Sequence, residues 1–112
     1  MKKIFKYSIN LYNGNDVKVI VAPEYFYPLH VGLQNGKACL WALVDVSNIS
    51  QQIGHFIRVA GTGHNLPDYF SREHYIGTVQ LSGGDLVFHF FWMSRDSDIC
   101  YSEGYTKKIC RS

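Results

Sequence analysis

The stretch Gly61-Thr62-Gly63-His64 offers the most obvious chemistry in this chain, because two glycines flank a hydroxyl and an imidazole follows at once. Glycines in such a run let backbone N–H groups converge on an anion, usually where a helix opens. Arg58 and Arg72 stand on either side and would add positive charge. Arg58, Gly61, Thr62, Gly63, His64 and Arg72 are therefore a candidate anion site. Against it, the run lacks the Walker lysine and the GxGxxG spacing, and no long helical pattern follows. The competing reading is a tight turn leaving a strand.

The remaining reactive side chains do not assemble into a known set. The other histidines are His30, His55, His74 and His89, and no HExxH or Cys/His zinc spacing is present. No metal and no cofactor is expected. His30 and His89 fall in strand-like segments and read as core or cross-strand residues, whereas His64 and His74 flank a polar connector on which they could converge. Ser71, Ser82 and Ser94 lie in loops without a GxSxG elbow, and Cys39 in its apolar run reads as a small buried hydrophobe. Asp45 ends an apolar strand, where a carboxylate caps a turn by accepting from backbone N–H. Cys100 and Cys110 frame CYSEGYTKKIC, and a hairpin turning at Glu103-Gly104 could set them face to face; a reducing cytosol would keep them as thiols. The chain is expected not to be an enzyme.

Binding is the better expectation. Tyr25, Phe26 and Tyr27 are consecutive, so a strand would show rings on both faces. They read either as an exposed rim or as residues covered by Tyr69 and Phe70. In the tail, Tyr101 and Tyr105 interleave with Lys107, Lys108 and Arg111. Tyrosine and arginine are typical anchors for a protein partner, the same mixture also suits nucleic acid, and the bland alternative is a solvated surface. A formal net charge of +2 and a pI near 8.4 make nucleic acid the weaker partner.

These side chains need a scaffold, and the rest of the chain reads as β-structure. At 112 residues, 46% hydrophobic and 15% aromatic, one folded domain with a real core is expected. Ile4 to Leu11 reads as a strand, NGND as a turn and Val17 to Ala22 as its return strand. Tyr25 to Gln34 is extended, with Pro28 indicating an edge position or an irregular start. QNGK (34–37) has the Asn-Gly of a type I′ hairpin, returning through Ala38 to Val46. Gly54 to Ala60 is a further strand, and Pro67 suits the start of a short helical turn. His74 to Leu81 and Asp85 to Met93 form a last hairpin around SGGD. Its second strand is apolar on both faces, as strands that are central in a sheet or covered on both sides are. The expected fold is all-β: a single small antiparallel sandwich or partly open barrel of about seven strands over 1–93, with a C-terminal hairpin or arm over 94–112. MKKIFK lacks the apolar run of a signal peptide, and no stretch is long and apolar enough to span a membrane.

The blocks QNGKACLWALVD (34–45), GTGH (61–64) and YIGTVQLSGGDLVFHFF (75–91), with the opening IFKYSINL, resemble a family of small uncharacterised bacteriophage and prophage proteins. The resemblance covers residues 1 to 92 and consists of turns and core strands rather than catalytic signatures. Asn65 stands where the pattern has proline, and the tail from Ser94 runs past the usual end. The resemblance implies phage origin and carries no residue roles. With the missing catalytic sets it suggests a non-enzymatic accessory protein in the host cytoplasm. Such a protein would bind a host protein or complex, for instance to inhibit a defence system such as CRISPR–Cas, with homo-oligomerisation open. The alternatives are a minor virion or decoration protein and a nucleotide-sequestering protein.

Overall fold

The computed structural model describes residues 1–12, 16–48, 50–93, 99–101 and 107–109. The fold is all-β. Strands β1 (Lys2–Ser8), β3 (Phe26–Gln34) and β4 (Lys37–Asp45) form one antiparallel sheet in the order β1-β4-β3. Strands β2 (Val17–Pro23), β5 (Gln52–Gly61), β6 (Tyr75–Leu81) and β7 (Leu86–Trp92) form a second in the order β2-β5-β7-β6. The two sheets do not close into a barrel. Strands β8 (Ile99–Tyr101) and β9 (Lys107–Ile109) pair with each other.

The core lies between the sheets and follows the period of two along each strand. Residues 38, 40, 42 and 44 of β4 point inward and are buried, as are Ile20 and Ala22 of β2, Ile57 and Val59 of β5, and Phe90 of β7. Strand β7 sits between β5 and β6; its inner face packs into the core through Phe90, and on its outer face the Phe91 ring lies against Phe70 and Tyr75. Strand β3 lies at a sheet edge, with a register shift between Pro28 and His30 where proline cannot donate to the ladder. The β3–β4 turn has positive φ at both Asn35 (52°) and Gly36 (77°), the type I′ combination that Asn-Gly favours.

One pairing differs from expectation. β1 and β2 are not a hairpin: β1 pairs with β4 and β2 with β5, so the chain changes sheets between them. Residues 13–15 of the expected NGND turn lie outside the described residues. A single hydrogen-bonded turn starts at Pro67, closed by the Phe70 N–H on the Pro67 carbonyl (3.1 Å), and the 3₁₀ helix proper follows at Arg72–His74.

The sheets approach closely at one corner. Gly77 of β6 faces Val31 of β3, and a Cβ at residue 77 would stand 2.8 Å from Val31 Cγ2. Glycine is required there to let the two layers meet.

Candidate functional site

The GTGH segment is a turn that satisfies itself. The His64 N–H donates to the Gly61 carbonyl (3.0 Å), and the His64 ring folds back so that Nδ1 accepts from the Gly61 N–H (3.2 Å). Gly63, with φ at +88°, makes the reversal possible. A phosphate nest needs free N–H groups, and the Gly61 donor is already used. Nor do the flanking arginines gather on the loop. Arg58 lies on the outer face of β5, with Nη2 4.0 Å from an Asp16 carboxylate oxygen, and Arg72 is exposed in the 3₁₀ turn. The six residues of the candidate anion site thus do not meet at one point.

Two other groups do meet at this turn. On the outer face of the second sheet, Thr62 Oγ1 lies 2.7 Å from His89 Nε2, and Thr78 Oγ1 lies 2.9 Å from His89 Nδ1. Tyr75 extends the chain with its hydroxyl on Thr78 Oγ1. His89 is therefore a cross-strand residue with both ring nitrogens held by hydroxyls. On the inner side, Asp16, Lys18, Gly61 and His64 border a cavity of about 90 Å³ with Leu11 and Phe88. Lys18 is in phase with Ile20 and Ala22 and only 7% exposed. Burial lowers its pKa, and the nearby Asp16 carboxylate opposes that shift. The cavity thus holds an acid and a base from this chain, with room for little more than water.

His64 and His74 do not converge. The His74 ring accepts from the Ser71 N–H through Nδ1 (3.1 Å) and packs against Phe70 and Trp92. No cluster of metal-ligating side chains occurs among the described residues.

The aromatic run divides as alternation dictates. Phe26 turns inward, stacked on the buried His55 ring with centroids 4.4 Å apart and edge-on to Tyr7. Tyr69 packs on Phe70, and Phe70 on Phe91, so they are not its cover. Tyr25 and Tyr27 stay exposed, with Lys2 Nζ 4.5 Å from the Tyr25 ring centroid. The register places Tyr27 beside Leu43 and Ile4, and His30 beside Trp41 and Lys6, on the outer face of the first sheet, although the Tyr27 ring reaches round the β3 edge to Trp92 of the second sheet, centroids 6.0 Å apart. Ile4 is 59% and Tyr27 54% exposed, and Leu29 stands clear at the register shift. Lys2, Lys6 and Lys37 rim this apolar centre. Among the described residues, the only acid on the face is Asp45. Its Oδ1 accepts from the Ser47 N–H (2.9 Å) and the Met1 amino group (3.3 Å), as a turn cap does. The Ser47 hydroxyl and backbone N–H, then the amino group, hold its pKa down to about 2.

The family model for a domain of unknown function, DUF7352, matches residues 1–99. The chain belongs to this family. No curated protein and no solved structure matches it. The DUF7352 match takes in both sheets, the GTGH turn and the apolar-basic face. Lys107, Lys108 and Arg111 of the tail lie beyond it, as does Tyr105. The side chains of Tyr101, Lys107 and Lys108 lie outside what the structure describes, as do residues 105 and 111 entirely. The β8–β9 register sets Cys100 opposite Lys108 rather than Cys110, which is itself outside the described residues.

Sequence reasoning missed the outer face of the first sheet. Its signal was present as Lys-x-Ile-x-Lys in β1 and Trp-x-Leu in β4, but only the register brings these together with Tyr27 and His30. Lys18 was missed because VKVIVA is apolar on both faces and leaves the inward phase open.

Proposed function

We propose that this protein is a non-enzymatic binding protein that docks on a host protein through the outer face of the β1-β4-β3 sheet. The observation that carries the reading is the composition of that face. Ile4, Trp41 and Leu43 form an apolar centre, with Tyr27 at its β3 edge, rimmed by lysines, and the only acid on the face among the described residues, Asp45, is already engaged. An apolar, aromatic centre with a polar rim is the usual anatomy of a protein interface. Three lysines select a partner surface that carries carboxylates. Aliphatic Ile4 and Leu43 at the centre favour protein over the stacked bases of a single strand.

The resemblance to small bacteriophage proteins supports the finer reading: a phage-encoded accessory protein in the host cytoplasm that blocks a host surface, such as that of a CRISPR–Cas complex. The nucleotide-sequestering alternative loses support from the closed GTGH turn.

The test is affinity capture from infected cells with the native protein and with an Ile4→Glu/Leu43→Glu variant. Both positions are partly or fully exposed, so the fold should survive, which circular dichroism and melting check. A host protein captured by the native chain and lost with the variant supports the reading. Equal capture by both removes the face from the mechanism, and recovery in stoichiometric amounts within purified particles makes it a virion component.

A further inference from the structure

The end of the sandwich where β1 leads into residues 9–12 stands open. A cleft of about 310 Å³ lies there, lined by Ile9, Leu11, Tyr12, Lys37, Ala38 and Leu81 among others. The register shows that it opens on the core. Leu33 pairs with Ala38 and Leu86 with Leu81, and in both pairs the partner is buried. Leu33 and Leu86 therefore occupy inward positions, yet they remain 44% and 41% exposed. One wall is held in place by Asn10, whose Oδ1 accepts from the Tyr12 N–H (2.9 Å), a local turn that leaves this side chain already engaged.

We propose that this cleft binds a small amphipathic carboxylic acid. Its apolar body would lie against Ile9, Leu11, Ala38 and Leu81, and its carboxylate would meet Lys37. The volume falls at the lower end of the range for small-molecule sites, and the lining is apolar with few polar groups, as such sites are. Charge fixes the head group. Among the described residues, Lys37 is the only charged one lining the cleft, and its ammonium has no hydrogen-bond or ion-pair partner there. An apolar hole with a single free cation at its lip selects an apolar chain with one anionic end. The site shares Lys37 with the rim of the outer face, but Ile4, Trp41 and Leu43 take no part in it, so loss of decanoate binding and loss of partner capture can be told apart.

Decanoate is the probe, titrated into the full-length protein and followed by amide-resolved NMR, with decanol and decyltrimethylammonium as head-group controls. The expected result is saturable binding with shifts centred on Ile9, Leu11, Ala38 and Leu81. Lys37→Met should weaken decanoate about tenfold, the worth of one charge-assisted hydrogen bond, and leave decanol unchanged. The same spectra report whether the variant keeps its fold. The proposal is overturned by the absence of saturable binding, by shifts centred on the outer face of the first sheet, by decyltrimethylammonium binding as tightly as decanoate, or by equal loss of decanoate and decanol in the variant.

Discussion

Substituting Gly77 by alanine should destabilise the fold through a single contact. The new Cβ would lie 2.8 Å from Val31 Cγ2, while Val31 is 2% exposed and has its own backbone N and O at 3.8 and 3.9 Å. A valine packed this tightly cannot swing away, so the sheets must part or the strand must shift. Overpacking of this kind costs about 1–3 kcal/mol. Lost freedom of the unfolded chain returns about 0.4–1 kcal/mol. The net loss is about 1–2 kcal/mol, or roughly 4–8 °C in Tm for a domain of this length. Val31→Ala alone removes two buried methyls and should cost about 2–3 kcal/mol. Combined, the two changes should cost at least about 1 kcal/mol less than their sum, because the smaller side chain makes room for the added Cβ. Gly61→Ala is the control. Its Cβ would come just as close, 2.9 Å, to His64 Cε1, but that ring is exposed and free to leave. Its cost should be under about 1 kcal/mol, the worth of the Gly61 N–H bond it gives up. Urea melts of the four variants at constant slope measure all of this. Strict additivity of the residue 31 and 77 changes, or equal costs at 61 and 77, would refute the account of the corner.

Two further outcomes follow from side-chain surroundings. The Asp45 carboxyl has a folded pKa of about 2 against an ordinary 3.8, held down chiefly by Ser47; its stabilisation is therefore full above the ordinary value and lost as pH falls from there through about 2, and Ser47→Ala should raise the pKa in a carbon-detected NMR titration, with an unchanged value sinking that assignment. Arg58 has a buried Nε without a partner among the described residues and only a 4.0 Å approach to Asp16, so Arg58→Met should keep or raise stability by about 1 kcal/mol; it should also push the Tyr69 phenol, already raised by burial, further up in an absorbance titration, because Arg58 opposes that shift.

Local signals in the sequence carried most of the architecture. Asn35-Gly36 needs positive φ twice and has it, Pro28 sits where an edge strand loses its donor, and β7, apolar on both faces, lies between two neighbours. The error was one of partnership. A turn signal such as NGND says that the chain reverses, not which sheet the next strand joins, and β1 and β2 went to different sheets. The site was less legible for the same reason. Thr62, Thr78 and His89 are ordinary residues until the β6-β7 register and the GTGH turn bring them to one point. Likewise Ile4, Trp41 and Tyr27 come from three strands, and only their pairing makes a surface of them.

The separation of β1 and β2 into different sheets also governs how the chain reaches its fold. As it leaves the ribosome, neither of its first two strands can pair with the next to emerge. Lys2 must wait for Asp45, and Val17 for Arg58. The β3–β4 and β6–β7 hairpins close locally, but the sandwich forms only when strands distant in the chain find each other, which makes the search long and the transition state late in synthesis. During that wait, β1 carries three of its own lysines on alternating and adjacent positions, a charge pattern that keeps an unpaired strand from adding to a neighbouring nascent chain. Lys2 and Lys6, which rim the finished face, therefore act first as guards of an orphan strand.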